Sequence, residues 1–297
     1  MRQFPRWISW IARAQAGGLA FLAVLGGAFV AVVLPYSHWD AMGYGVWSRL
    51  IAETGEYHHA VADAVYLQRP LFYAVQGYLW NVLGEVEAIG RLYSFGFAIV
   101  LGICVWVLAG RLTSRIGDAR LHAPLALTVL LGSGIVAAQA ASGLTDVPVA
   151  AMTALTAVFL TARPGRARFV LVALAAAGAV LAKPTGLMGL AGLALAAVLL
   201  GSEPKRRRPA FHGLIAMAIG VSGALAYDGY AARSLGITLA DLLRAGGDTD
   251  WYVSLAADER WDALLGAGWL GEESSAAIVL GLVFGAARAA CLAPRWA

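Results

Sequence analysis

Long apolar runs separated by short polar intervals dominate the chain. Residues 17–34, 92–110, 123–138, 147–160, 169–182, 186–200, 211–227 and 275–290 are nearly free of charge. A helix closes its backbone hydrogen bonds within one segment, so runs of this kind predict membrane helices. At ~1.5 Å per residue, 17–34 and 92–110 approach a ~30 Å hydrocarbon layer, whereas 169–182 and 186–200 are short for full spans. Residues 70–84 (PLFYAVQGYLWNVLG) are also apolar, but Gln76, Gly77 and Asn81 interrupt them. That run reaches only about two thirds of the layer, which predicts an interfacial or re-entrant helix. The expected fold is an all-α polytopic membrane protein, one membrane-embedded domain over 1–297 with about eight transmembrane helices.

Composition agrees with the pattern. The hydrophobic set makes up 60% of the 297 residues and charged residues 13%, where a soluble domain carries about a quarter. Mean hydropathy is +0.71. The formal charge of +4 and a pI near 9.2 raise nucleic acid as a partner, but the basic residues fall in tight clusters between apolar runs, as cytoplasmic loops do. Nucleic-acid binding is therefore not expected. Cys104 and Cys291, in or beside apolar runs, read as buried thiols.

The clusters fix an expected topology. Residues 1–15 hold Arg2, Arg6, Arg13, Trp7 and Trp10, an amphipathic cytoplasmic lead-in, and 17–34 reads as a retained anchor rather than a cleaved signal. The groups Arg111/Arg115/Arg120, Arg163/Arg166/Arg168 and Lys205 to Arg208 face the same side only if an even number of crossings separates them. Two outer loops follow from this parity: 36–91, with juxtamembrane helices, and 228–274. Asp146 and the Lys183-Pro184-Thr185-Gly186 turn fall on the outer side, which would be periplasmic in a cell inner membrane.

The polar stretch at 36–71, YSHWDAMGYGVWSRLIAETGEYHHAVADAVYLQRPL, gathers Asp40, Glu53, Glu56, His58, His59, Asp63 and Arg69 at a membrane boundary. Asp40 reads either as a solvated acid in a local turn or as a general base at the mouth of an outward cavity. Asp146 reads either as an N-cap, with Pro148 in the first turn, or as a second acid orienting an acceptor. Arg69 either anchors to lipid phosphates or forms a charge-assisted fork on a substrate phosphate. Lys183, against the positive-inside bias, is either a phosphate ligand or the partner of a distant carboxylate such as Asp40 or Asp146. His58, His59 and Asp63 match no strong metal spacing, and an adjacent pair does not share one helical face.

These residues carry a resemblance. Trp39-Asp40, Glu53-Thr54-Gly55-Glu56-Tyr57, Arg69-Pro70-Leu71-Phe72-Tyr73, the Gly77-Tyr78-Leu79-Trp80-Asn81-Val82-Leu83-Gly84 run and Gly90-Arg91-Leu92-Tyr93-Ser94 follow one another. The order resembles the membrane glycosyltransferases that use polyprenyl-phosphate sugars, the protein O-mannosyltransferase and lipid A aminoarabinose transferase group. The likeness covers residues 29–200. It implies a GT-C-like fold and an inverting transfer from a polyprenyl-phosphate sugar to an acceptor hydroxyl on a glycan, lipid or protein. Asp40 and Asp146 would be the catalytic acids, and Arg69 and Lys183 would hold the donor phosphate. No cofactor beyond the lipid-linked donor is implied, and metal dependence stays open. The chain departs from the family where the second proline of the Pro-Pro pair is missing and Tyr93 replaces a proline. About eight spans stand where the family has eleven or more, so a short, divergent or truncated member is expected. The rival classes are a polytopic transporter, expected to show broken or charged segments at mid-membrane in paired halves, and a non-catalytic membrane protein.

Overall fold

A computed structural model describes residues 6–33, 39–54, 70–84, 87–113, 119–133, 136, 139–140, 143, 145–183, 185–200 and 204–234. Every regular element among them is a helix. In chain order these are α1 (Arg6–Val33), α2 (Trp39–Thr54), a π-helical turn (Pro70–Ala74) running into α3 (Val75–Leu83), α4 (Glu87–Thr113), α5 (Ala119–Gly132), α6 (Asp146–Leu160), α7 (Arg166–Ala182), α8 (Gly186–Leu200) and α9 (Pro204–Ser234). Each apolar run expected from the sequence up to 227 has its helix, and the run at 275–290 lies outside the described residues.

By length and composition, three described helices can cross a membrane: Trp7–Val33, Glu87–Arg111 and Arg207–Tyr230, with mean hydropathies of 2.3, 2.3 and 1.6. His122–Gly132, Asp146–Leu160 and Gly186–Leu199 are apolar but shorter. Phe21, Leu22, Phe29, Leu174, Met188 and Phe211 are exposed. Outward apolar surface of this extent is compatible with contact with lipid.

Several boundaries differ from the sequence reading: α5 ends at Gly132 with Ser133 outside it, short of the 138 expected for that run. The amphipathic lead-in is continuous with the first apolar run in one 28-residue helix, because nothing between Arg6 and Val33 breaks the backbone pattern. The apolar run at 211–227 also continues as helix to Ser234, which puts Asp228 inside α9 and buries it. No proline follows Tyr227 to stop the helix, and a change of hydropathy alone does not end one.

The interior is built around α7, which packs between α6 and α9, while α8 lies against α9, α4 against α6 and α5, and α1 against α5 and α4. Its core comprises Val172, Ala176, Ala179, Val180, Leu190, Ala216, Met217 and Ala224. Small residues set the spacing: a Cβ on Gly220 would overlap the Ala173 carbonyl. In lipid, helices gain little from hydrophobic exclusion and depend on such close backbone approach.

Long-range side-chain bonds sort the helix ends. Arg111 on α4 donates from Nη1 to Val158 O at 2.6 Å and to Thr161 Oγ1 at 3.1 Å. Arg168, 8% exposed, donates from Nε to Phe159 O at 3.1 Å and from Nη2 to Leu160 O at 2.9 Å and Pro209 O at 3.1 Å. The last carbonyls of a helix have no intrahelical donor and carry its negative dipole end, and here two guanidinium groups satisfy them. Arg111 and Arg168 are thus structural caps for α6, beyond the loop cations that the charge pattern suggested. At the other end of α4, the buried Arg91 donates from Nε to Ala31 O at 2.7 Å, in the last turn of α1, and pairs with Glu87 at 3.4 Å. One end of the bundle therefore carries Arg111, Arg163, Arg166, Arg168, Arg207 and Arg208, and the other the end of α1, the start of α4, the start of α6 and the α7 to α8 turn.

Candidate functional site

At that second end, Lys183 Nζ lies 2.7 Å from Asp146 Oδ1. Local sequence builds both sides of the contact. Thr145, fully buried with φ −82° and ψ −11°, occupies the cap position of α6 and makes no side-chain cap bond. Asp146 is therefore the first helical residue and not the N-cap that the sequence suggested. A carboxylate in a first turn lies beside the free amide groups and the positive dipole end of its helix. Val147 and Pro148 are buried beneath it.

Lys183 follows the last residue of α7 with extended backbone, φ −166° and ψ 138°, so its side chain leaves the helical path. Its amide still bonds Ala179 O at 3.3 Å, and its carbonyl accepts from Gly186 N at 2.8 Å, which reverses the chain into α8. Gly186 has no alternative, since a Cβ there would overlap the Ala179 carbonyl. The turn thereby fixes where Lys183 emerges.

The side chains of Lys183 and Asp146 are 25% and 41% exposed. A pair this open contributes ~0.2–1 kcal/mol to stability. An ammonium has three donors, and one of them is directed at Asp146. Among the described residues the other two make no hydrogen bond. Of the two sequence readings of Lys183, the structure shows the pairing with a distant carboxylate, and the partner is Asp146.

The segment over 70–84 borders the same end. Tyr93 on α4 donates its hydroxyl to Leu71 O in the π-helical turn, and its ring lies 5.5 Å from that of Phe72 and 5.1 Å from that of Phe97. Phe72, Tyr73 and Ile51 form a small buried cluster with Tyr93 packed on it, which ties α2 and the turn to α4. The turn also packs against α7, the helix that ends at Lys183. A Cβ on Gly77 would approach Ser48 O to 2.7 Å, so α3 crosses α2 at backbone contact distance. The expected short helix over 70–84 is therefore present and joined to the bundle.

Arg69 lies outside the described residues, immediately before Pro70. Asp40 is the second residue of α2, and its side chain lies outside the described part. The structure brings Asp146 and Lys183 together and does not describe the other two candidates. His58, His59, Asp63, Glu56 and Cys291 also lie outside the described residues, while Cys104 is buried. Among the described residues no three His, Cys, Asp or Glu side chains group as a metal site.

Three residues that sequence reasoning did not select matter at this end. Tyr93 stood out only as a departure from a pattern, yet it anchors the turn that follows Arg69. Arg91 joins α1 to α4. Asp228 is 8% exposed and engaged by partners, and its signal was an acid directly after an apolar run. No family model, curated protein or solved structure matches the chain.

Proposed function

We propose that the protein is a polytopic membrane glycosyltransferase of GT-C-like architecture, acting on a polyprenyl-phosphate sugar at the outer face of a cell inner membrane. The observation that supports this reading best is the Lys183 to Asp146 pair. It is a partly exposed cation whose other two donors make no hydrogen bond among the described residues, at the end of the bundle opposite the basic clusters, on the helix that packs against the turn following Arg69. Positive-inside bias makes that end the outer one. The eight-span topology, with the N-terminus cytoplasmic, belongs to the same proposal.

In this reading Asp40 takes the proton of an acceptor hydroxyl as the oxygen attacks the anomeric carbon. The bond from that carbon to the donor phosphate breaks with inversion, and polyprenyl phosphate leaves. Arg69 and Lys183 stabilise the charge that grows on the departing phosphate. Asp146 holds the lysine in position beforehand and shares it with the phosphate on binding. A phosphate leaving group needs cations more than it needs a general acid, which suits a rim with an arginine and a lysine.

One observation favours a second reading, that of a non-catalytic membrane protein: Asp146 already neutralises Lys183, and such a pair ties two helix hairpins without any substrate. Reconstitution with a panel of labelled polyprenyl-phosphate sugars separates the readings. Donor-dependent transfer to an acceptor extract is expected from the transferase, and its absence with every donor supports the second reading.

A further inference from the structure

At the opposite end of the bundle, a cleft of about 370 Å³ opens between the α6 to α7 connection and α9. Pro164, Gly165, Arg166, Arg168, Phe169, Val172, His212 and Gly213 line it, and none of them is acidic. Arg166 and His212 are exposed, whereas Arg168 forms the inner wall. Arg168 uses Nε and Nη2 on carbonyls, and its Nη1 makes no hydrogen bond among the described residues. The N-terminus of the 17-residue α7 opens here from Gly165 with no side-chain cap, so its first amides also face the region without a side-chain acceptor.

We propose that this cleft binds the phosphate of an anionic phospholipid, with Arg166, His212 and the first amides of α7 as ligands and Arg168 Nη1 behind them. A lipid, rather than a free anion, is argued from the flanks. Val170, Leu171, Phe211 and Ile215, beside the cleft on α7 and α9, are exposed and apolar, and Arg207–Tyr230 is long and apolar enough to cross a membrane. A headgroup seated in the cleft lets its acyl chains lie along those side chains. Basic pockets between membrane helices on the cytoplasmic side hold acidic headgroups by this combination of charge and adjacent lipid. The site is independent of the transferase reading, since it lies at the other end of the helices and uses none of that machinery.

The test uses the full chain in detergent, with phosphatidylglycerol, phosphatidylcholine or inorganic phosphate titrated in, and reads thermal stability and lipid retention by native mass spectrometry. Phosphatidylglycerol should raise Tm and remain bound, while phosphatidylcholine and inorganic phosphate do neither. Loss of one basic contact near an anionic headgroup corresponds to about a fivefold weakening. Arg166→Gln should show that weakening and His212→Gln a smaller one, and Arg13→Gln, at the same end on α1, should not. Arg168→Gln is unsuitable because that residue also holds three carbonyls. Equal retention of phosphatidylcholine, a full effect from inorganic phosphate, or undiminished binding in both Arg166→Gln and His212→Gln overturns the proposal.

Discussion

Asp146 Oδ1 accepts a 2.7 Å hydrogen bond from Nζ of Lys183, a residue 37 positions later in the chain. The contact joins the first turn of α6 to the turn between α7 and α8. Because both side chains are partly exposed, its value for folding is small, and in the proposed reading the lysine meets the donor phosphate. Lys183→Gln should therefore lower stability by only ~0.2–1 kcal/mol. It should lower transfer by on the order of a hundredfold, the effect of removing one group that stabilises developing charge. Thermal unfolding and single-turnover transfer, measured on the same preparation, check both expectations.

Gly186→Ala tests the turn that aims the lysine. The new methyl meets the Ala179 carbonyl, and overpacking of this kind costs ~1–3 kcal/mol. Relief of the clash displaces the Lys183 turn, so transfer should fall along with the melting temperature. Gly192→Ala on the same helix has nothing within 4 Å of the new methyl. It should be neutral or stabilising by up to ~1 kcal/mol, since alanine favours helix. Comparison of the two variants by thermal unfolding separates packing from helix propensity.

Much of this fold was legible in the hydrophobic pattern. The apolar run at 186–200 coincides with α8, and 147–160 falls one residue inside α6. The reason is physical: a helix that must satisfy its backbone without water needs an unbroken apolar segment, and that segment is visible as text. The end of α9 was not legible, because Asp228 is buried by neighbours that a linear pattern does not show. The site was legible in part. Lys183 stood out as a cation without a nearby acid in sequence, but its partner is set by the packing of α6 on α7. For the same reason Arg168 read as one more cytoplasmic charge, and only the geometry shows that it satisfies three carbonyls.

Arg168→Ala should be among the most destabilising single changes at the basic end. It leaves the Phe159, Leu160 and Pro209 carbonyls without the guanidinium, and loss of hydrogen bonds to a buried charged group costs ~1.5–3 kcal/mol or more. Arg168→Lys, with a point charge in place of a fork, should recover only part of the loss. Denaturant unfolding in mixed micelles measures the difference.

Tyr93→Phe removes the hydroxyl that holds Leu71 O and keeps the aromatic contacts with Phe72 and Phe97. Stability should fall by ~0.5–1.5 kcal/mol. If the turn positions Arg69 for the donor phosphate, the apparent KM for donor rises while kcat changes little. Steady-state kinetics with varied donor concentration provide the check.

The most direct measurement is sugar transfer by the reconstituted protein from a labelled polyprenyl-phosphate donor, compared across wild type, Asp40→Asn, Lys183→Gln and His58→Ala. Donor-dependent transfer with inversion is expected in the wild type, with its loss in Asp40→Asn, a large decrease in Lys183→Gln and retention in His58→Ala. Transfer undiminished in Asp40→Asn and Lys183→Gln, or no transfer from any donor by the wild type, would contradict the transferase reading.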